Sequence, residues 1–551
     1  MPATLGPLPW IASWPLLECG ARGARSVCVG LYVAAQALLV LYSLHRCLLL
    51  WRRWRARAAL RPDPPRPCDW PRVTVQLPVY NERRVIDRLI ESVAALDYPA
   101  DRLEIQVLDD SSDETSAWAV RAAARQAARG VDIRVLRRAR RDGFKAGALA
   151  HGMRSARGEF FAVFDSDFVP EPDFLRRTLP HFADPRVGMV QARWGHLNRD
   201  ASLLTSAQAV LLDSHFAIEH ETRMRCGLFL NFNGSAGVWR RACIEGAGGW
   251  THDTLTEDLD LSYRAQLEGW RFVYDDTTEA RAELPVDLEA LRSQQRRWVK
   301  GSIQTARKIL PRLLAGPWPA AVKLEALVHL TNNLAYPLLL GLLLLPLLAA
   351  TTRGEPVVAA WTQAALVVPG LLPVCVFLAA GQRIRGRKHG LVRDVPAAVL
   401  LGIGLALNNA RAAIEGMSGP AGEWERTPKT GSGRRDSRGR HYATARRSAG
   451  RAELLLAVYF AVAAVVAAGA GRWLAVPMPL MFLVAFGWVG ASSLRASLRA
   501  VKAGRSSPTG GRAGHSAYPR SRGRAPGSPP TGTSGAPWRS PRSRSAEAAP
   551  A

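Results

Sequence analysis

Apolar and polar positions fall into three regimes along this chain. Val27 to Leu50 is an almost unbroken apolar run, and crossing the ~30 Å hydrocarbon core of a bilayer takes about 20 helical residues. Arg46, near its end, can snorkel to the interface. Trp51-Arg52-Arg53-Trp54-Arg55 follows, where a cleaved signal peptide would carry small residues, so the run predicts an uncleaved anchor with its C-terminal end in the cytoplasm. Pro62, Pro64, Pro65 and Pro67 make residues 61–71 a stiff linker.

From residue 72 to 312 the pattern becomes that of a globular domain. Val73 to Leu77, Glu104 to Leu108, Ile133 to Leu136 and Phe160 to Phe164 are short buried-type strands, and a helical stretch begins near Asn81. Strands alternating with helices predict βαβ units, hence an α/β fold with a mostly parallel sheet. No G-x-G-x-x-G follows the first strand, which disfavours a dinucleotide-binding domain.

Beyond residue 312 the chain turns apolar again. Four further spans are predicted at about 326–350, 356–380, 452–470 and 473–494 within a C-terminal region 313–498. The run Val395 to Leu407 is too short to cross, and Asn408, Asn409, Arg411 and Glu415 follow it, so 395–415 predicts an interfacial or re-entrant helix. Parity agrees. With that stretch not crossing, the basic segment Arg383 to Lys388, the basic loop within 418–451 and the tail 499–551 all stay on the cytoplasmic side, as the positive-inside rule asks.

Charge changes the picture only in where it sits. Lys and Arg number 73 against 46 acidic residues, a formal charge of +27, which in a soluble protein would suggest nucleic acid. Here the cations flank apolar runs and fill a Ser-, Pro-, Gly- and Arg-rich tail, so they mark membrane flanks and a disordered tail leaning on anionic lipid headgroups. Nucleic acid is therefore not expected as a partner. The seven cysteines form no C-x-x-C pair and are read as small buried hydrophobes.

Candidate chemistry gathers where strands end. Asp165-Ser166-Asp167 follows the strand at Phe160 to Phe164, and carboxylates at i and i+2 in a turn can both reach one hard cation such as Mg2+ or Mn2+. Asp109-Asp110 ends the second strand, and Tyr80 with Asn81 ends the first. A carboxylate there can accept from a base imide and a tyrosine can stack on a base, while a plain capped turn would look the same. Thr256-Glu257-Asp258 stands where a helix begins; its acids suit a helix N-terminus and also suit a base that takes a proton from an attacking hydroxyl. Gly246 to Trp250 upstream is a flexible loop able to close over a sugar. Gln294, Arg297 and Trp298 lie at i, i+3 and i+4 and share one helix face, with an arginine suited to a diphosphate and a tryptophan suited to a sugar ring.

Taken in order and spacing, these residues resemble the D, D-x-D, T-E-D and Q-x-x-R-W motifs of processive family 2 glycosyltransferases, the cellulose-synthase-like proteins. Gln106 to Ser111, Asp142 to Leu149 and Asp253 to Arg264 are most similar to the glucomannan (mannan) synthase-like branch, and the likeness runs from about Val73 to Leu494. It implies a GT-A domain inserted between transmembrane and interfacial helices on the cytoplasmic face of the plasma (inner) membrane. It further implies Tyr80 and Asp110 at the nucleobase with Asp109 among the substrate-binding residues, Lys145 and Arg297 at the diphosphate, and Asp165 and Asp167 at a metal and the donor. Asp258 would be the base beside Glu257, with Asn233, Gly234, Ser235, Gln294 and Trp298 at the acceptor. Trp424 to Lys429 resembles the F-x-V-T-x-K gating loop, with Trp424 and Arg426 where the family has Phe and Val, and so adds Thr427 and Lys429 to the site. One N-terminal span stands where the family has several.

The activity this implies is inverting hexosyl transfer from a nucleotide sugar, of GDP-mannose or UDP-glucose type, to a growing β-linked polysaccharide. A lipid glycosyltransferase, adding one or two sugars to a diacylglycerol- or ceramide-type acceptor, would carry the same motifs. A scaffold or transporter with a degenerate catalytic domain is disfavoured, because no motif acid is missing.

Overall fold

The computed structural model describes residues 15–56, 69–350, 360–388, 390–419, 450–469 and 476–505, with the single positions 422, 427, 429, 431, 471 and 473. Most of the proline linker and of the loop 418–451, including Trp424 to Arg426 and Pro428, lies outside the described residues, as do the start of the 356–380 span and the tail from residue 506. The chain divides into two compact units, Met1–Ala500 and Val501–Ala551, and the site lies within the first.

Its centre is one eight-stranded sheet: β1 (Val73–Val79), β2 (Leu103–Asp109), β3 (Ile133–Arg137), β4 (Phe160–Val163), β5 (Val169–Pro170), β6 (Val187–His196), β7 (Gly237–Arg240) and β8 (Arg271–Ala282). The spatial order is β3-β2-β1-β4-β7-β6-β8-β5. Neighbours among β3, β2, β1 and β4 run parallel, as do β6 and β8, while β7 is antiparallel to β4 and β6, and β5 to β8. The fold is GT-A-like, with a mixed but mostly parallel sheet.

The four strands read from the sequence are present, because β-branched and aromatic runs buried on both faces satisfy their backbones only in a sheet covered by helices. All of β2 and β4 is buried. The helix expected near Asn81 begins at Ile86 instead. Asn81 takes a positive φ of 57° and its side chain accepts from the Ser112 amide at 2.9 Å, so the chain completes a turn here before helical geometry starts. From β1 the chain runs outward to β2 and β3 on one side, and β4 returns to the other. The switch point between β1 and β4 is where an open α/β sheet leaves a crevice beyond its carboxyl ends.

Around this domain, four helical stretches among the described residues are long and apolar enough to cross a bilayer: Gly30–Arg55, Ala320–Leu343, Arg451–Gly469 and Pro477–Leu498. Leu391–Gly404 and Ala406–Ser418 form a pair bent by 50°, at the position where an interfacial helix was expected. The 326–350 stretch starts earlier than its apolar pattern suggests, at Ala320, and is interrupted by a 3-10 turn at Asn332–Leu334. Domain and bundle are tied by buried charge. Arg292 in the helix Leu288–Ala315 bonds Glu453 at 2.6 Å and Ser493 at 3.2 Å, both on C-terminal helices. Such a pair, once desolvated, is costly to break from one side.

Candidate active site

Strand ends deliver the first set of groups to the crevice. β1 leads to Tyr80, β2 to Asp110 and β4 to Asp165, Ser166 and Asp167, and all but Asp109 of the acidic positions line one cavity of about 150 Å³. Asp109 and Ser235, expected from the family resemblance to touch substrate, stand behind its wall. Asp109 is buried and accepts from the Ser111 amide at 2.9 Å, closing the strand-end turn. The buried Ser235 hydroxyl accepts from the Asp165 amide at 2.9 Å and so sets the D-x-D turn against the segment Asn233 to Ala236. Both act through their neighbours.

Beside Tyr80, at the ends of β1 and β2, Arg138 grips Asp110 with two bonds of 2.7 and 2.6 Å. Arg141 lies over the Tyr80 ring, 3.4 Å from its centroid, so the wall offers a guanidinium stacked on tyrosine. Neither arginine stood out in the sequence. A cue did exist, since Arg138 to Asp142 directly precedes the Gly143-Phe144-Lys145 turn.

Helices bring the second set. Thr256 packs so close to the helix Leu288–Ala315 that a Cβ on Gly301 would lie 2.6 Å from its methyl, which lets Glu257 and Asp258 open their own helix, Glu257–Leu267, at the cavity floor. Asp258 accepts from the Leu259 amide at 2.8 Å. Burial, then the charge of neighbouring Glu257, pushes its pKa up from the usual carboxylate range to about 7. Burial also raises Glu257. Gln294, Arg297 and Trp298 line the cavity from the second helix.

Two lysines hold the metal-type carboxylates. Lys145 Nζ donates to Asp165 at 2.5 Å and to the Gly234 carbonyl at 2.7 Å. Lys429 Nζ donates to Asp167 at 2.8 Å, and Thr427 accepts from Arg297 at 2.8 Å. The loop residues picked out by resemblance thus reach the site from 130 positions beyond Arg297. Glu283, which sequence reasoning passed over, receives Arg88 at 2.8 Å and the Gly431 amide at 3.1 Å beside them. It ends β8 at the crevice, so the strand-end rule that picked out Asp165 would have found it.

Burial raises the pKa of Asp167 despite its lysine, and its Oδ1 is buried without a hydrogen-bond partner. Among the described residues no cluster of three or more His, Cys, Asp and Glu could hold an ion by itself. Two hard carboxylates with an open oxygen fit a divalent cation only if phosphate oxygens complete its shell.

Gly234 sits at the centre with φ +84°, and a Cβ there would meet Asp258 Oδ2 at 2.8 Å. Gly234→Ala therefore both strains the backbone and crowds the carboxylate. The expected outcome is a loss of about 1–3 kcal/mol in unfolding free energy together with loss of turnover; a variant as stable and active as the parent would contradict this placement.

Residues 71–301 match the family model described as "Glycosyltransferase like family 2". That stretch of the chain is similar to family 2 glycosyltransferases. Among curated proteins, it is 43% identical over 251 residues to glucomannan 4-beta-mannosyltransferase 2 of Arabidopsis thaliana, covering 45% of this chain and 47% of the relative. To glucomannan 4-beta-mannosyltransferase 7 of the same plant it is 35% identical over 373 residues, 66% of this chain and 65% of the relative. The chain thus spans between about half and just under two thirds of these curated relatives. A mannosyltransferase from Pyrobaculum calidifontis, solved with GDP-Man and Mn2+, aligns at 24% identity over 68% of this chain and 97% of its own, with a TM-score of 0.46.

Proposed function

We propose that this chain is an inverting membrane glycosyltransferase that moves hexosyl units, mannosyl first among them, from a GDP-mannose- or UDP-glucose-type donor to the end of a β-linked polysaccharide. Asp258 carries the reading. It is a carboxylate at the floor of a cavity whose wall also holds Lys145, Arg297 and the D-x-D pair, with a pKa near the pH at which it would work.

In this mechanism Asp258 takes the proton of the acceptor hydroxyl. The hydroxyl oxygen forms a bond to the anomeric carbon as the bond from that carbon to the diphosphate oxygen breaks, and the electron pair leaves with the diphosphate. Attack from the face opposite the leaving group inverts the configuration in one step, so one base suffices. Lys145 and Arg297 supply positive charge where the diphosphate develops negative charge. Asp165 and Asp167 would hold Mg2+ or Mn2+, whose part is to neutralise the phosphates. Gln294 and Trp298 would bear on the acceptor. We place the domain at 72–312, on the cytoplasmic side of the membrane.

A second cavity of about 410 Å³ lies among the apolar helices. Leu211 lines it while the next residue, Leu212, lines the catalytic cavity, so one turn of the helix Leu203–Ser214 stands between the two. The same cavity supports a lipid acceptor as the second reading. Two of its polar groups are already spent, Tyr42 donating to Thr331 at 2.9 Å and Ser43 to the Gly370 carbonyl at 2.5 Å. Much of the rest is Leu, Val, Met and Phe surface.

Membranes supplied with a panel of labelled nucleotide sugars test both readings. A long carbohydrate that resists organic extraction supports the polysaccharide; label confined to a small extractable glycolipid overturns it in favour of lipid, and no transfer from any donor overturns both. With the active donor, kcat/KM should rise tenfold per pH unit below about 7 and level off above it, because Asp258 works only when ionised. A profile flat from pH 5 to 8 would remove Asp258 from the base role.

A further inference from the structure

Beneath the catalytic floor, residues His215–His220 form a π-helical segment, a local excess turn of a kind that often occurs at functional sites. Its two histidines close on Asn233, the residue before Gly234. The Asn233 side-chain amide lies 3.0 Å from His215 Nε2, and its carbonyl oxygen lies 2.6 Å from His220 Nε2. The rings themselves are 4.5 Å apart in an edge-to-face arrangement. His215 Nδ1 lies 2.8 Å from Glu219.

The proton positions follow from these partners. Burial alone would raise Glu219, but the His215 hydrogen bond and the Arg223 and Arg46 charges outweigh it and hold the carboxyl well below its usual range. Glu219 therefore accepts, and His215 carries its proton on Nδ1. His215 Nε2 is then a lone pair, which the Asn233 amide fills. His220 donates from Nε2, which leaves its buried Nδ1 bare, and that nitrogen has no partner. The reverse orientation of the amide would put an unpaired N–H at the buried Nδ1 and a lone pair against a carboxylate, both costly.

We infer that Asn233 is a positioning residue, clamped by one histidine on each side of its carboxamide so that Gly234 keeps its place between Lys145 and Asp258. The proposal rests on the glycosyl-transfer reading above. Gly234 offers its carbonyl to Lys145 at 2.7 Å and has no room for a side chain against Asp258. A shift of the segment moves the donor-side cation and the base-side carboxylate at once. The Asn233 backbone amide is also anchored, to Gln191 at 2.9 Å, so the segment is held from three directions. An ångström of misplacement near the reacting atoms costs about a hundredfold in rate.

Two variants of His220 separate clamp from packing. The ring stacks on Phe216 and Tyr274, each 5.3 Å away, so His220→Phe keeps the stack and loses the donor, while His220→Gln keeps an N–H where Nε2 was. His220→Gln should retain kcat within about threefold and His220→Phe should lose on the order of a hundredfold in kcat, with donor KM little changed. Equal activity of the two, or full activity of His220→Phe, overturns the clamp.

Asn233→Asp sharpens the test. It sets a second carboxylate against His215, across the ring from Glu219. Arg46 from the N-terminal helix, Arg223, His220 and His329 are the other charged or titratable groups near that pair. N233D should lower kcat more than about tenfold, because the amide donor that holds the segment against His215 is gone; activity equal to the parent's overturns the proposal. Nitrogen-15 histidine spectra of the intact protein in nanodiscs read the tautomers without turnover. A His220 protonated on Nδ1 would sink the clamp even if glycosyl transfer is confirmed, and the expected tautomers in a protein that transfers no sugar would sink only the function.

Discussion

Asp258→Asn is expected to leave nucleotide affinity within about threefold of the parent and to lower transfer by a factor on the order of 10² to 10⁴, the contribution of a positioned general base. The substitution keeps the shape of the side chain and its bond from the Leu259 amide, so loss of fold is not the expected cause. It also removes the repulsion that lifts Asp258, because Glu257 no longer faces a second titrating carboxyl. Thermal stability should therefore hold or rise slightly while turnover falls, and the rising limb of the pH profile near 7 should vanish from whatever activity remains. Single-turnover rates with bound labelled donor, beside calorimetric nucleotide affinity, make the measurement. Transfer at the parent rate would place the base elsewhere.

Asp167→Ala is expected to act on the other half of the reaction, with a loss of about a thousandfold in transfer and a loss of divalent-dependent nucleotide binding. The reason is local. Asp167 is the carboxylate with an open buried oxygen, and it also answers the buried charge of Lys429. Removing it strands that cation, at a cost of about 3–5 kcal/mol for a broken buried pair. The double variant Asp167→Ala with Lys429→Met should recover most of the stability and none of the metal-dependent binding. Calorimetric titration of nucleotide with and without Mn2+ or Mg2+, and unfolding midpoints of the three proteins, distinguish the two roles. Full activity of Asp167→Ala in the presence of chelator would end the metal assignment.

Much of this site was legible in the chain because it obeys short-range rules. A buried strand must end in a turn, and acids in such turns stand out against the apolar run before them, as at Asp110, Asp165 and Asp167. Helical spacing put Gln294, Arg297 and Trp298 on one face. What escaped was everything whose role depends on a distant partner. Asp109 and Asp110 are neighbours in the same acidic turn, yet one is a buried strut and the other faces the cavity, because successive residues at a strand end point to opposite sides. Arg138, Arg141 and Glu283 have no motif of their own. They matter through Asp110, Tyr80 and Gly431, each brought close only by the fold. The same holds for His215 and His220, which read in sequence as two ordinary histidines five positions apart.

By itself, then, the sequence determined the element types of the catalytic domain, the sheet's parallel core, the apolar helices around it and the acids at the strand ends. Each of these is set by periodicity and local chemistry within a few residues. Only the tertiary structure decided that Lys429 meets Asp167, that Thr427 meets Arg297, that Gly234 abuts Asp258 and that Asn233 sits between two histidines. Those contacts join positions from tens to hundreds of residues apart, where backbone propensity carries no information and the packing of the whole domain against its helices sets the distance.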